Sequence, residues 1–250
     1  MSFRATKERE IPQDYTCHIE VKIMSKLQIE AEPYAFEFDP AATALIIIDM
    51  QRDFLEPGGF GEMLGNDVSL LRSAIGPIAN LLEAARAAGM LVIHTREGHR
   101  PDLTDAPPAK LARGHLSCGI GDVGPMGRVL VRGEYGHDII PELYPLPTEP
   151  VIDKSGKGAF FGTDLALLLG NRGIQSLIVC GVTTEVCVHT TVREANDRGY
   201  ECLVPEDCVG SYFPEFQQVG LKMIKAQGGI FGWVSHSSQV IQALHQVIQI

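Results

Sequence analysis

From residue 43 onward the chain alternates between two patterns. Six stretches are near-continuous apolar runs: Thr43–Asp49, Met90–Thr95, Pro150–Ile152, Ser176–Gly181, Tyr200–Pro205 and Gly229–Ser235. Short runs with no polar alternation are how strands read when both faces of their sheet are covered. Between them lie segments with helical spacing, near Val68–Ala88, Thr163–Asn171, Thr184–Arg198, Glu215–Gln227 and Ser237–Val247. Gly89, Gly173 and Gly199 follow three of these, and glycine most readily takes up the left-handed conformation that ends a helix. Regular strand–helix alternation predicts an α/β domain built on a parallel, doubly wound sheet.

Two regions fall outside the alternation. Residues 1–40 are mostly polar and show no sustained period, so they read as an N-terminal extension, with a single domain over 41–250. Met24, followed by Ser25 and Lys26, offers an alternative start within that extension. Gly98–Pro147 is rich in glycine and proline and poor in period. It reads as a long excursion over the carboxyl edge of the sheet, where such folds place their sites. Within it, Gly119-Ile-Gly-Asp-Val-Gly124 matches a dinucleotide motif by letter. It follows no predicted strand, however, and Pro125 and Gly127 stop it from opening a helix, so it reads as a loop that shapes a pocket.

Charge narrows the partners. A formal net charge of −10 over 250 residues repels phosphate backbones, and the few basic clusters have no interleaved aromatics, which excludes nucleic acid. No apolar stretch reaches the roughly 18 to 20 residues that a membrane span needs. The first ten residues, MSFRATKERE, carry charges where a signal peptide has its apolar segment, so the cytoplasm is the expected compartment. The six cysteines include no Cys-x-x-Cys and no Cys/His cluster at zinc spacing, and they read as thiols. Cys180 and Cys202 sit in apolar runs as core residues, and Cys17, Cys118 and Cys208 read as bystanders.

The remaining cysteine is different. In Leu177-Ile-Val-Cys-Gly-Val-Thr-Thr-Glu-Val-Cys187-Val-His189, a strand runs into a turn and a helix begins near Thr184, which places Cys187 in the first helical turn. Unpaired backbone N–H groups and the positive end of the helix dipole favour a thiolate there, and the same N–H groups supply an oxyanion hole. Equally, Cys187 is a plausible buried thiol facing the sheet. Asp49 ends the first apolar run at the site edge, with Asp53 the better candidate for a helix cap. Lys154 follows the short third strand in Val151-Ile-Asp-Lys-Ser-Gly-Lys-Gly-Ala-Phe-Phe161; taken alone it reads as a surface lysine. A carboxylate, a lysine and a thiol at the ends of three parallel strands make the base, cation and nucleophile that covalent acyl transfer requires.

These residues are where the chain resembles the isochorismatase-like cysteine hydrolases. The shared motifs are an aspartate ending strand one, a lysine a few residues before an Ala-Phe pair, and a Gly-Val-x-Thr-x-x-Cys-Val turn, spread here over residues 41–235. The resemblance implies a six-stranded parallel sheet with helices on both faces, and assembly as a homodimer or homotetramer. It further implies Asp49 as proton shuttle, Lys154 as supporting cation and Cys187 as nucleophile, with a cis peptide between Val182 and Thr183 that aims the Thr183 and Cys187 N–H groups at the substrate oxygen.

Two departures narrow the substrate. The Asp-x-His…His metal motif of the nicotinamidases has no counterpart between Gly58 and His99, and no other ligand cluster is expected near Asp49, so no metal or cofactor is predicted. The isochorismatases need no thiol, whereas Cys187 occupies the nucleophile position, which favours amide cleavage. The loops His94–Leu103 and Arg132–Pro145 resemble the branch that hydrolyses small ureides, including biuret and triuret. Phe231-Gly-Trp-Val234 resembles the ureidoacrylate hydrolases, so ureidoacrylate or N-carbamoyl hydrolysis is the alternative. Phe54, Lys157 and Gln227 are the candidate substrate-binding residues, since each follows a predicted strand or motif; their ordinary readings are core filling, a solvated lysine and a helix end. A non-catalytic binding protein on the same fold would show no thiol reactivity.

Overall fold

The computed structural model describes residues 26–112 and 118–248. Its strands, in chain order, are β1 (Leu27–Ile29), β2 (Phe36–Phe38), β3 (Thr43–Ile48), β4 (Leu91–Glu97), β5 (Val123–Gly124), β6 (Gly127–Arg128), β7 (Val151–Lys154), β8 (Ser176–Val182), β9 (Glu201–Pro205), β10 (Val209–Gly210) and β11 (Trp233–Ser235). Six of them form the central parallel sheet in the order β11-β9-β8-β3-β4-β7, and the two-residue β10 pairs with the end of β8 as a seventh member. The chain builds outward from β3 first to one side and then, from β8, to the other. The gap between β3 and β8 is therefore the switch point, where parallel α/β sheets open a crevice at their carboxyl ends.

All six residues of β3 and all seven of β8 are buried, as the continuous apolar runs predict. The sheet separates two apolar clusters. Leu45, Ile47 and Val182 pack with the helices Ile75–Ala87 and Ser237–Ile248; Ile46, Ile48 and Val179 pack on the other face with Leu165, Val188 and Val192. Among the described residues, no helix is long and apolar enough to cross a membrane.

Several segments differ from the sequence reading. The helix expected over Val68–Ala88 is broken into Ser69–Arg72 and Ile75–Ala87. The one expected from Thr184 begins with a single wide turn, Thr184–Val188, before the regular helix His189–Asn196. β4 and β7 each run two residues further than their apolar patterns, to Glu97 and Lys154.

The stretch read as an extension is divided. Residues 1–25, including Cys17 and Met24, lie outside the described residues. Residues 27–38 are part of the fold: β1 and β2 pair antiparallel, and Leu27, Ile29, Phe36 and Phe38 are buried in the first cluster. Backbone hydrogen bonds between Glu32 and Val234 of 2.8 and 2.9 Å tie this hairpin to β11, and Phe36 packs against Trp233 at 5.1 Å. Phe38→Ala should therefore cost about 3–5 kcal/mol, read as a lower urea midpoint with an unchanged slope. A loss below about 1 kcal/mol would show the hairpin to be an ornament.

Candidate active site

Four side chains meet at the carboxyl ends of four adjacent strands. The register of β4 and β7 sets Glu97 directly beside Lys154, and Asp49 follows β3 one strand over. The Lys154 Nζ lies 2.7 Å from Asp49 Oδ2 and 4.0 Å from Glu97 Oε2, and it donates to the Gly156 carbonyl at 3.2 Å. Thr95 donates its hydroxyl to the other Asp49 oxygen at 2.6 Å. The Cys187 thiol donates to Glu97 Oε2 at 3.5 Å, and the donor atoms of Asp49, Glu97 and Cys187 all lie within 4.8 Å of one another. Asp49 and Lys154 are fully buried, Glu97 is 1% exposed and Cys187 4%, so the reacting groups sit beneath the surface.

Local backbone brings them together. Gly181 has φ 108°, and a Cβ there would stand 2.1 Å from the Ile48 carbonyl oxygen. Only glycine lets the end of β8 approach β3 so closely. Asp49 itself has φ 50°, a region that aspartate tolerates better than most residues. Its side chain is thereby fixed over the switch point, held by Lys154 and Thr95. The Val182–Thr183 peptide is cis, and Thr183 precedes the wide turn that carries Cys187.

The electrostatics depart from the sequence expectation at the thiol. Burial pushes the Cys187 thiol well above its ordinary value; Lys154 and Lys157 pull against this, while Asp49 and Glu97 add to it. Desolvation and two neighbouring carboxylates thus oppose the helix-terminus contribution that favours a thiolate. Sulfur rests as S–H and needs a base. Burial alone would raise Glu97, but Lys154, Lys157 and Lys110 outweigh it and bring the carboxyl down to about 2. Lys154 loses stability as a cation through burial, yet the negative charges around it, Asp49 foremost and Glu97 with it, raise it again, and its net shift is upward.

Glu97 and Lys110 are the residues that sequence reasoning missed. Glu97 accepts from Lys157 at 2.7 Å and from Lys110 at 3.0 Å, and its backbone N–H donates to the Gln51 side chain at 2.6 Å. Its signal was its place two residues beyond an apolar run, the counterpart of Asp49 one strand away. Lys110 comes from the short helix Pro108–Leu111 within the excursion, and no motif marks it.

The other predicted residues divide. Lys157 lines a cavity of about 450 Å³ beside this cluster, together with Lys110, Phe60, Ile120, Leu130 and Phe161. Phe54 does not line it; it packs behind the wall, against Cys118, Val129 and Leu130. Gln227 is a correction: it is exposed, at φ 53°, near the end of the helix Pro214–Gly229. That helix leaves the carboxyl edge and returns to the amino end of β11, so within the chain Gln227 stands at the opposite edge from Cys187. Asp53 is buried in the first turn of the helix Arg52–Leu55; it accepts from the Leu130 N–H at 3.1 Å, which anchors the excursion, and faces the Phe60 N–H at the start of the helix Phe60–Met63. Gly119 and Ile120 of the glycine-rich segment do line the cavity.

The absence of a ligand cluster near Asp49 is also revised. Asp49, Glu97 and Cys187 are, among the described residues, the one group with donor atoms close enough to share a metal ion. Three ammonium groups already face those carboxylates, a charge set that opposes a divalent cation.

With this geometry in view, comparison with known proteins is specific. The Isochorismatase domain model matches residues 43–238. A cysteine hydrolase from Pseudomonas syringae pv. phaseolicola 1448A is similar at 27% identity and TM-score 0.69, over 90% of this chain and 100% of that one. An isochorismatase family protein from Desulfovibrio vulgaris subsp. vulgaris str. Hildenborough is similar at 28% identity and TM-score 0.67, over 82% and 98%. The fold is also that of an N-carbamoylsarcosine amidase from Thermoplasma acidophilum, at 23% identity and TM-score 0.60 over 78% and 96%.

Proposed function

This chain belongs to the isochorismatase family of hydrolases, and we propose that it cleaves the terminal C–N bond of a small ureide, of the biuret or triuret type, with Cys187 as nucleophile. The observation that carries the reading is the buried Asp49–Lys154 pair at 2.7 Å beside a thiol that rests protonated.

Two carboxylates neighbour the sulfur, and their partners separate their roles. Glu97, held to about 2 by three ammonium groups, is too weak a base to take a thiol proton efficiently. Asp49 faces one ammonium and one hydroxyl and is the carboxylate left to move it. In the proposed cycle Asp49 accepts the Cys187 proton as sulfur bonds to the carbonyl carbon. The oxyanion is received by the Thr183 and Cys187 amides. Collapse breaks the C–N bond, with the Asp49 proton passing to the leaving nitrogen, and ammonia departs. Water then gives a proton to Asp49 and adds to the acyl carbon, the C–S bond breaks, and the sulfur recovers the proton. No metal takes part. The free thiols Cys118, Cys180, Cys187, Cys202 and Cys208 fit a reducing compartment such as the cytoplasm.

Substrate choice follows from what faces the cavity. Lys157 and Lys110 bring two ammonium groups, and Asp105 a carboxylate already paired with His99 and Arg132, to an otherwise largely apolar wall, which favours a compact molecule with several carbonyl oxygens. An N-carbamoyl acid is the second reading, since its carboxylate would pair with the same ammoniums. Steady-state kinetics on biuret, triuret, ureidoacrylate, N-carbamoyl amino acids and nicotinamide should give the highest kcat/KM for a ureide. Its margin over nicotinamide should be about a hundredfold, because two or three polar groups that lack a partner in the bound state cost roughly 1–3 kcal/mol each. Preference for nicotinamide would sink the ureide assignment while leaving the Asp49–Lys154–Cys187 chemistry standing.

A further inference from the structure

We propose that Lys110, carried on the excursion rather than on the sheet, is a positioning residue that latches the cavity wall shut over the buried nucleophile. The inference rests on the amidohydrolase reading for its kinetic consequence and on geometry alone for the latch.

Cys187, Asp49, Glu97 and Lys154 expose 4% or less of their surface, and none of them lines the cavity. A substrate in the cavity is therefore one layer away from the sulfur. That layer is Glu97 with its two ammoniums: Lys157 at 2.7 Å and Lys110 at 3.0 Å share Oε1, and the thiol sits on Oε2. Lys157 belongs to the loop that directly follows β7. Lys110 reaches in from the four-residue helix Pro108–Leu111, donating also to the Ser155 carbonyl at 2.6 Å. Among the described residues, these two bonds are the side-chain hydrogen bonds that join 106–112 to the strand ends; the backbone bonds of that segment run within it or, from Ala106, to Leu103. Ala106 is buried at the start of the segment, but Leu111 at its far end is 39% exposed, so apolar packing holds the end that carries Lys110 only weakly.

Asp105, which lines the cavity just before the segment, is anchored to His99, Arg100 and Arg132, and beyond that anchor Lys110 is the side chain that ties the wall to Glu97. A wall held by two bonds to one ammonium can release when a substrate carbonyl or carboxylate offers that ammonium another acceptor, and re-form behind it. Closure of this kind excludes water and raises apparent affinity without altering the bond-breaking step. Lys110 is not among the main influences on the thiol, which are burial, Lys154, Asp49, Glu97 and Lys157. Its removal should change access to the sulfur more than the sulfur's own reactivity.

The test is Lys110→Met, which keeps the length and removes the donors. Alkylation of Cys187 by iodoacetamide, followed by peptide mass spectrometry, should quicken about fivefold or more as the wall loosens. For the best amide of the panel, KM should rise about tenfold with kcat falling less than about threefold; a lost substrate contact would give the same split, so the alkylation rate, which involves no substrate, is the readout that separates closure from binding. A purely structural defect would lower the active fraction and leave KM alone. Lys110→Arg should fall between Met and native in both readouts, and Lys110→Gln replaces Met if that variant does not fold. An unchanged alkylation rate, or an unchanged KM, in a folded variant overturns the proposal. If the native protein turns over none of the amides, the ureide reading fails by itself, and the alkylation rate alone decides the latch.

Discussion

Replacing Cys187 by serine should lower turnover of the best ureide by at least about three orders of magnitude while leaving the protein folded. The hydroxyl is a poorer nucleophile and a far weaker acid than a thiol, and the base proposed for it, Asp49, is already paired with Lys154 and Thr95. The exchange is small, so the unfolding free energy should move by no more than about 1–2 kcal/mol. Mass spectrometry of native protein quenched in acid during turnover should find the acyl group on the peptide that contains Cys187. Near-native turnover by Cys187→Ser, or an acyl group on another cysteine, would remove the covalent mechanism. Place, not acidity, separates Cys187 from the other described thiols: it is the one grouped with the carboxylates of Asp49 and Glu97.

Lys154→Met should both abolish activity and destabilise the fold by about 3–5 kcal/mol. Removing one member of a buried ionic cluster leaves Asp49 without its 2.7 Å partner and Glu97 with one fewer. Thermal and urea unfolding of the variant against native protein measure this, and adding Asp49→Asn should restore part of the stability because it removes the stranded charge. Full stability in Lys154→Met would show that the cluster is hydrated or already neutral. Acid provides a second reading. Glu97 lies near 2 in the fold against an ordinary 4.5, so its contribution, about 3 kcal/mol, is complete above pH 4.5 and is lost as pH falls through 2. With Lys154 gone the Glu97 depression shrinks, and the remaining acid-sensitive stability should disappear at a higher pH than in the native protein.

The parts of the site that could be read from sequence were those where a polar residue stops an apolar run. Asp49 does so after five buried residues, and Cys187 follows a glycine-marked turn. Glu97 escaped because the pattern of β4 was taken to end at Thr95. Arg96 and Glu97 still pair with β7, and a strand that buries charge at its tip carries no hydrophobic signal there. The β1–β2 hairpin was invisible for a related reason: Leu27-Gln-Ile29 and Phe36-Glu-Phe38 each offer three residues of alternation, too few to register beside a polar surrounding. Gln227 shows the converse error. It stands near Phe231–Val234 in number, but a crossover helix carries the chain back from the carboxyl edge to the amino edge, and proximity in sequence becomes separation by the height of the sheet. The thiol's acidity failed on desolvation, which depends on how many neighbours close over an atom and is not written in spacing.

Because the sheet parts the interior into two apolar halves, and Cys187 is itself a member of only one of them, the halves are unequal as raw material for adaptation. On the side of Leu45, Ile47 and the hairpin, a substitution has only volume and shape to satisfy, and a repacked variant that keeps both can drift freely. On the side of Ile46, Ile48, Val188 and Val192, the same repacking also shifts the platform under the sulfur. Selection for a new substrate can therefore draw on the first half as a reserve of stability, while the second changes only in step with the chemistry.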